Sequence, residues 1–266
     1  MKKNKSSIIN YLKESKNYII FIVALFFFCI LVGILGAAQL ASYIIPLLED
    51  LVKRTENLQG IDLFIFIFLN NALTSLTALA AGILLGIFPI ITTITNGIVL
   101  GFVMERTAGV LGFAQLWRIL PHGIFELPAV FLSLALGLKL GFQPLLNYFK
   151  YYIKNNKVLV VLPFVIAIPL SIIALLTMPS SQISNNVNLP KNIMPIAISI
   201  ISLVFYLSLT ILILIATTML ANKKLRKIQL NTFKTNIINS IKIFFFVVIP
   251  LLIIAAIIET LLITLL

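Results

Sequence analysis

The chain has 266 residues, of which 61% are hydrophobic and only 11% are charged, and its formal net charge at pH 7 is +12. This composition excludes a water-soluble globular protein, because a soluble domain cannot bury so much apolar surface. An open β-sheet is excluded as well, because lipid cannot satisfy the backbone groups at its edges. The sequence therefore predicts an all-α, polytopic transmembrane helical bundle that forms a single membrane domain over residues 1–266.

The apolar stretches are long enough for about seven membrane-spanning helices, since one crossing needs roughly 20 mostly apolar residues. In chain order they are residues 17–45, 62–88, 94–104, 119–138, 158–178, 193–221 and 243–266. The third stretch is short, and we expect a short span or a re-entrant segment there. The lysines before the first stretch look like the start of a signal peptide, but the apolar run that follows is too long for one, which predicts a retained anchor helix.

The charged residues predict how the chain is threaded through the membrane. The basic groups are residues 1–16, residues 142–157 together with Lys139, and residues 222–242. The connection 46–61 is net negative. Because cytoplasmic loops carry the excess of Lys and Arg, seven crossings place every basic group in the cytoplasm, the acidic loop outside, and the carboxyl terminus outside. Membrane orientation thus accounts for the positive charge, and we expect no nucleic-acid partner.

Two of the basic connections have the pattern of amphipathic helices that lie at the membrane surface. Residues 147–157 mix tyrosines with lysines, and residues 222–242 space apolar side chains among basic ones. In such helices the lysines meet anionic headgroups. The alternative is a solvated loop in each place. On the outer side, residues 47–61 have the composition of a short helix.

Glycines predict where spans pack closely. Gly82 and Gly86 are four residues apart in the second span, and Gly97 and Gly101 are four residues apart in the third. This spacing makes a flat helix face on which another backbone can approach. We expect these faces to form contacts within the chain rather than a dimer seam.

Five polar residues are predicted to share one layer in the outer half of the membrane. His122 and Glu126 are four residues apart and therefore lie on one helix face. With the predicted threading, Glu126 and Glu259 each lie about seven residues, or ~10 Å, below the outer surface. Asn70 and Asn71 reach a similar depth in the second span. The sequence therefore predicts an intramembrane polar cluster.

Three roles are open for this cluster. A charged carboxylate at such depth costs at least ~2.5–3.5 kcal/mol, so it is protonated, paired or hydrated. One role is a hydrogen-bonded network that joins spans two, four and seven, and a second is a proton or ion site. The third is a divalent metal such as zinc, held by His122, Glu126 and Glu259. A metalloprotease helix carries two histidines and this segment has one, so no catalytic residue is assigned.

One segment of the chain resembles a known family. The run LPHGIFELPA at residues 120–129, together with Asn70–Asn71, Asn96–Gly97 and the run AAIIE that ends at Glu259, is similar to the stage II sporulation protein M family of integral membrane proteins. The resemblance implies a multi-span helical protein. In spore-forming bacteria the family member works with partner proteins to remodel septal peptidoglycan during engulfment. Members also occur in organisms that form no spores, so the resemblance does not by itself imply sporulation.

These observations together predict a multi-pass protein of the cell membrane whose role is non-enzymatic. We expect a membrane component or scaffold that recruits protein partners or associates with itself. The alternative is a channel or transporter for ions or small solutes that uses the His/Glu cluster. A metal-dependent membrane hydrolase is the third interpretation.

Overall fold

The computed structural model describes residues 2–155, 209 and 223–265, and every regular element in those residues is helical. The elements are α1 (Lys2–Glu14), α2 (Lys16–Leu35), α3 (Ala37–Thr55), α4 (Gly60–Ala81), α5 (Ile87–Leu111), a 3-10 helix (Phe113–Ile119), α6 (Leu120–Asn155), α7 (Lys223–Ile243), a π-helical segment (Phe244–Val248) and α8 (Ile249–Leu265). The predicted spans 158–178 and 193–221 lie outside the described residues.

Within those residues, five helices are long and apolar enough to cross a membrane. They are Lys16–Leu35, Gly60–Ala81, Ile87–Leu111, Gly123–Lys150 and Arg226–Thr264. They correspond to the first, second, third, fourth and seventh spans that the sequence predicts. The prediction of an all-α, polytopic helical bundle is confirmed.

The first predicted span, residues 17–45, is divided into two helices at Gly36. The helix α2 ends at Leu35, and α3 then continues through most of the acidic connection 46–61, where the sequence predicts a short helix over residues 47–61. The helix α3 is amphipathic and packs Ala37 and Ile44 against Phe102 of α5. This apolar face explains why a segment rich in charges is helical rather than a loop.

The third span is not short, which corrects the sequence prediction of residues 94–104. The helix α5 has 25 residues. Its first turns are rich in threonine, which lowers their hydropathy, but Thr93 and Thr95 donate hydrogen bonds to the carbonyl oxygens of Pro89 (2.6 Å) and Ile91 (3.0 Å). A hydroxyl that bonds to its own helix in this way is satisfied without water, so the segment can remain in lipid.

The second span ends earlier than predicted, at Ala81 rather than residue 88. The five residues from Gly82 to Gly86 form the turn between α4 and α5. Gly86 has φ 72°, in the left-handed region that glycine enters without steric cost. The short turn makes α4 and α5 a helical hairpin.

Two helices are longer than the hydrocarbon layer is thick. At ~1.5 Å per residue, the 36 residues of α6 extend ~54 Å, against ~30 Å of hydrocarbon. On the other side of the gap, α7, the π-helical segment and α8 form one uninterrupted helical run, and no glycine or proline lies between Lys223 and Ile249. The described parts of connections 142–157 and 222–242 are therefore helical, and the alternative of a solvated loop does not apply to them.

The described residues belong to two compact units, Met1–Gly141 with Lys234–Leu266, and Phe142–Phe233. In the first unit, Leu79 of α4 clusters with Ile243 and Leu252, whereas Leu63 clusters with Ala256. The helices α4 and α8 therefore run antiparallel. Ser15, the turn from Gly82 to Gly86, Lys139 and Ser240 lie at one end of this unit, which we call the amino-terminal end.

The second unit pairs the last turns of α6 with the first turns of α7. Gln229 donates a hydrogen bond from Nε2 to the carbonyl oxygen of Pro144 (2.7 Å) and accepts one at Oε1 from Asn147 Nδ2 (3.4 Å). Tyr148 is buried beside them. These contacts hold the two helical extensions together by specific polar bonds.

Candidate functional site

The structure brings two carboxyl groups together inside the membrane-spanning helices. Glu126 of α6 and Glu259 of α8 are both half-buried and lie within electrostatic range of each other. Three alanines close to these acids in the sequence are completely or almost completely buried: Ala129, Ala255 and Ala256. Such small side chains allow helices to approach closely. Two like charges in this environment repel each other, so a proton or a cation stabilises the pair.

His122 lies on α6 one helical turn before Glu126, as the sequence predicts, but its side chain is outside the described residues. Where side chains are described, no three His, Cys, Asp or Glu residues are grouped as metal ligands. The metal site predicted at His122, Glu126 and Glu259 therefore stays a prediction.

The two asparagines of the predicted cluster lie on different faces of α4. Asn71 is half-buried and follows Ile67 by one turn on the face that packs against Ala256 of α8. Asn70 is exposed and instead lines the grooves beside α3 and α5. The two asparagines therefore differ in exposure, and the predicted cluster stays a prediction for both.

All four glycines of the predicted packing faces lie in contacts within the chain. A Cβ atom on Gly97 would be 2.7 Å from Cys29 Cβ and 2.8 Å from the carbonyl oxygen of Phe26, both on α2. A Cβ atom on Gly101 would clash with the carbonyl oxygen of Ile30. Gly82 and Gly86 form the ends of the α4–α5 turn instead of a helix face, and this turn packs against Gly137 and Gly141 of α6.

Three buried hydroxyl groups lie in the same spanning helices as the polar cluster, and no sequence motif singled them out. Ser75, Ser133 and Thr260 are buried, and their hydroxyl oxygens make no hydrogen bond within the described part of the chain. Ser133 follows Glu126 by two turns on the same face of α6. Buried polar atoms without a partner usually mark the place of a water molecule or an ion.

A second polar site, which we call the Lys139 knot, lies at the amino-terminal end. The Lys139 side chain is almost completely buried, and its Nζ donates a hydrogen bond to Ser15 Oγ (3.1 Å). The same Nζ is 3.7 Å from the ring centroid of Tyr11 and 3.6 Å from the carboxylate of Glu14. A hydrogen bond of 3.0 Å also joins the Tyr11 hydroxyl to Ser240 Oγ. One lysine therefore connects α1, the start of α2 and α6.

The phenol of Tyr11 stays neutral in this site. Burial is the main cause that raises the pKa of Tyr11 to about 12, and the hydrogen bond with Ser240 opposes it. A neutral ring offers its face to the ammonium group as a cation–π partner. The charge pattern placed Lys139 with the cytoplasmic basic residues, whereas the apolar residues on both sides of it, in the run LALGLKLGF, were the available signal of burial.

Comparison with known proteins agrees with the sequence resemblance. The family model described as Stage II sporulation protein M matches residues 20–178, which is more than half of the 266 residues. The matched range includes Glu126 and Lys139, and it ends before Glu259. No curated protein and no solved structure gives a match.

Proposed function

Since the chain belongs to the stage II sporulation protein M family, we propose that it is a non-enzymatic membrane component that holds partner proteins at the bilayer surface. The Lys139 knot is the observation that carries this proposal. A buried cation is costly unless several groups compensate its charge. The groups that compensate Lys139 belong to Tyr11, Glu14 and Ser15, so they also attach α1, which lies outside the spans, to α6. A rigidly attached helix at the membrane surface is suited to bind another protein.

The charge distribution supports an orientation with the amino terminus in the cytoplasm. Lys13, Lys16 and Lys234 are exposed in the first unit near its amino-terminal end. At the opposite end, the connection between α2 and α4 contains three acidic residues, and the first turn of α4 adds Asp62. An excess of basic residues marks the cytoplasmic side. Because α8 runs away from the amino-terminal end, the carboxyl terminus is then external.

The scaffold proposal is tested by releasing α1 without unfolding the spans. Lys139→Met keeps the length of the side chain and removes its charge. Loss of the cation–π contact and of the charged hydrogen bond is expected to cost about 1–2 kcal/mol, so that local opening of α1 increases roughly 5- to 30-fold. Hydrogen exchange of α1 measures the release, and mass spectrometry of proteins cross-linked to the full chain in native membranes measures partner capture.

Lys13→Met is the matched control, because Lys13 is exposed on the same helix. We expect the control to keep both the slow exchange of α1 and the captured partners, whereas Lys139→Met loses both. Release of α1 with unchanged capture would show that this helix does not bind the partners.

The carboxyl pair favours a second candidate function, the passage of protons or cations. Glu126 and Glu259 are within electrostatic range, and Ser133 follows Glu126 on the same face of α6 in the direction of the amino-terminal end. Buried hydroxyls without a bonded partner can hold water molecules, and chains of such groups relay protons. This arrangement supports a route through the spans that begins at the carboxyl pair.

A further inference from the structure

The helices α4 and α6 touch at positions that lack a side chain, along a contact that we call the α4–α6 seam. A Cβ atom on Gly137 of α6 would be 2.5 Å from the carbonyl oxygen of Ala78 and 3.1 Å from Cα of Leu79. One turn farther along α6, a Cβ atom on Gly141 would clash with the carbonyl oxygen of Gly82. The contact advances in the same direction on both helices, so α4 and α6 run parallel.

Two buried hydroxyl groups, which we call the hydroxyl pair, lie one turn outward from this contact. On α6, Ser133 precedes Gly137 by four residues, and on α4, Ser75 precedes Leu79 by four. Residues four apart share a helix face, so both serines reach the seam at one level, ~6 Å from the glycine contact. Ser75 is 1% exposed and Ser133 is 0% exposed. Neither hydroxyl oxygen has a hydrogen-bond partner in the described part of the chain.

Polar side chains continue along the seam from the hydroxyl pair toward the carboxyl pair. Asn71 is half-buried and precedes Ser75 by four residues, so it lies one turn farther out on the same face of α4. Glu126 precedes Ser133 by seven residues, which places it two turns farther out on the same face of α6. The seam thus carries a polar side chain at each turn from the hydroxyl pair to Glu126.

These groups are too far apart to hold one metal ion together. Seven residues of helix separate Glu126 from Ser133 by ~10 Å along the axis. The glutamate side chain also leans away from the serine, because helical side chains tilt toward the amino terminus. A hard divalent cation takes about six or more oxygen ligands, and the hydroxyl pair offers two.

Water fits this part of the seam better than a metal ion does. A serine hydroxyl both donates and accepts hydrogen bonds, as water does. Buried water occupies sites that offer at least two polar partners, which the hydroxyl pair and Asn71 supply. At ~2.8 Å per hydrogen bond, about three water molecules bridge the ~10 Å between Ser133 and Glu126.

We infer that a hydrogen-bonded row of water molecules, which we call the water wire, fills the α4–α6 seam between Glu126 and the hydroxyl pair, and that the ion exchanged along it is the proton. Polar groups linked by water pass protons without moving a larger ion between the helices. The inference names the ion of the second candidate function and rests on the carboxyl pair of that candidate.

Hydrogen exchange of a thiol in heavy water tests for the water wire. Ser75→Cys and Ser133→Cys change one atom of the side chain and place an S–H group at the hydroxyl pair. Both are made in the full chain together with Cys29→Ala, so that each protein in phospholipid vesicles carries a single thiol. Infrared absorption follows the conversion of S–H to S–D. Leu136→Cys in the same background is the matched control, because Leu136 is completely buried in the apolar core three residues after Ser133.

We expect the thiols at positions 75 and 133 to exchange at least about tenfold faster than the thiol at position 136, since a thiol in a dry core exchanges only when the structure opens locally. Natural Cys29, which is buried against Gly97 of α5, is a second dry reference. The two seam positions lie on different helices, so either variant decides the test if the other does not fold. Exchange at both positions as slow as in the control would overturn the inference.

Flux in proteoliposomes separates the inference from the function on which it rests. Ser133→Ala is expected to slow proton flux about 3- to 10-fold, the effect of one hydrogen bond lost from the water wire. Thr77→Val, at an exposed hydroxyl of α4, should leave the flux unchanged. Sodium or divalent-cation flux that Glu126→Gln abolishes would overturn the assignment of the proton. Fast thiol exchange without flux of any ion would remove the second candidate function and support the water wire alone.

Discussion

Two kinds of ionisable residue lie inside the spanning helices, and the structure treats them differently. Lys139 is surrounded by a hydroxyl, an aromatic ring and a carboxylate, so its charge is compensated by groups that are part of the fold. Glu126 faces a like charge on Glu259. Two carboxylates that lie near each other repel, so a proton, a cation or a hydrogen-bonding partner must offset the repulsion. The carboxyl pair is therefore the place to look for an activity.

At the residue scale, Glu126→Gln tests the second candidate function. The substitution keeps the shape of the side chain but removes the group that exchanges a proton or binds a cation. We expect flux in proteoliposomes to fall at least tenfold, the effect of about 1.4 kcal/mol on the barrier. The measurement uses proton, sodium and divalent-cation gradients in turn.

Glu105→Gln is the control, because Glu105 is a half-buried acid on α5 that pairs with the adjacent Arg106. It should leave the flux unchanged. Absence of flux through the natural protein under every gradient, or equal flux in both variants, would rule out the route through the carboxyl pair.

At the element scale, the packing of α2 on α5 depends on two positions without side chains. Gly97 and Gly101 lie one turn apart and meet the backbone of α2 between Phe26 and Ile30. In lipid, helix association gains little from the hydrophobic effect, so close backbone approach and van der Waals contact stabilise the pair. The sequence predicted this face correctly, because Gly at i and i+4 is a local pattern.

Gly101→Ala is expected to destabilise the protein, because the new Cβ atom clashes with the carbonyl oxygen of Ile30 and the two helices must separate. Overpacking of this kind costs about 1–3 kcal/mol. Gly109→Ala on the same helix is the control, since nothing lies within 4 Å of its added Cβ. The control should be neutral or stabilising by up to ~1 kcal/mol. Thermal unfolding in detergent measures both, and equal melting temperatures would contradict the contact.

Other elements could not be predicted from local pattern alone. Thr93 and Thr95 made the third span look short, because hydropathy counts a hydroxyl as polar even when it bonds to its own helix. The break at Gly36 was missed because the apolar run continues through it. The residues beyond it remain helical because Ala37 and Ile44 pack against Phe102, which lies far away in sequence.

At the scale of the whole molecule, the charges separate along the bundle. The amino-terminal end carries exposed lysines on α1, α2 and α7, and the connection between α2 and α4 at the other end carries the acids. Under the positive-inside rule this asymmetry supports the proposed orientation, with the amino terminus in the cytoplasm.

Labelling of single cysteines from each side of the membrane checks this orientation. Glu56 and Lys13 are exposed near opposite ends of the bundle, and Cys29 is buried. We expect a membrane-impermeant maleimide to label Glu56→Cys in intact cells, and to label Lys13→Cys only after the membrane is opened. Labelling of Lys13→Cys in intact cells would reverse the orientation.

The sequence by itself determined that the protein lies in a membrane, that it is helical, which segments can span, and which family it belongs to. Hydropathy, charge and short motifs are properties of the chain in one dimension, so they need no knowledge of packing. Tertiary structure decided which faces meet. It joined Lys139 to Ser15 across 124 residues and Tyr11 to Ser240 across 229, brought Glu126 into range of Glu259, and left Asn70 exposed while Asn71 is half-buried. Helix rotation and pairing depend on close contacts between segments far apart in the chain, and no local pattern contains them.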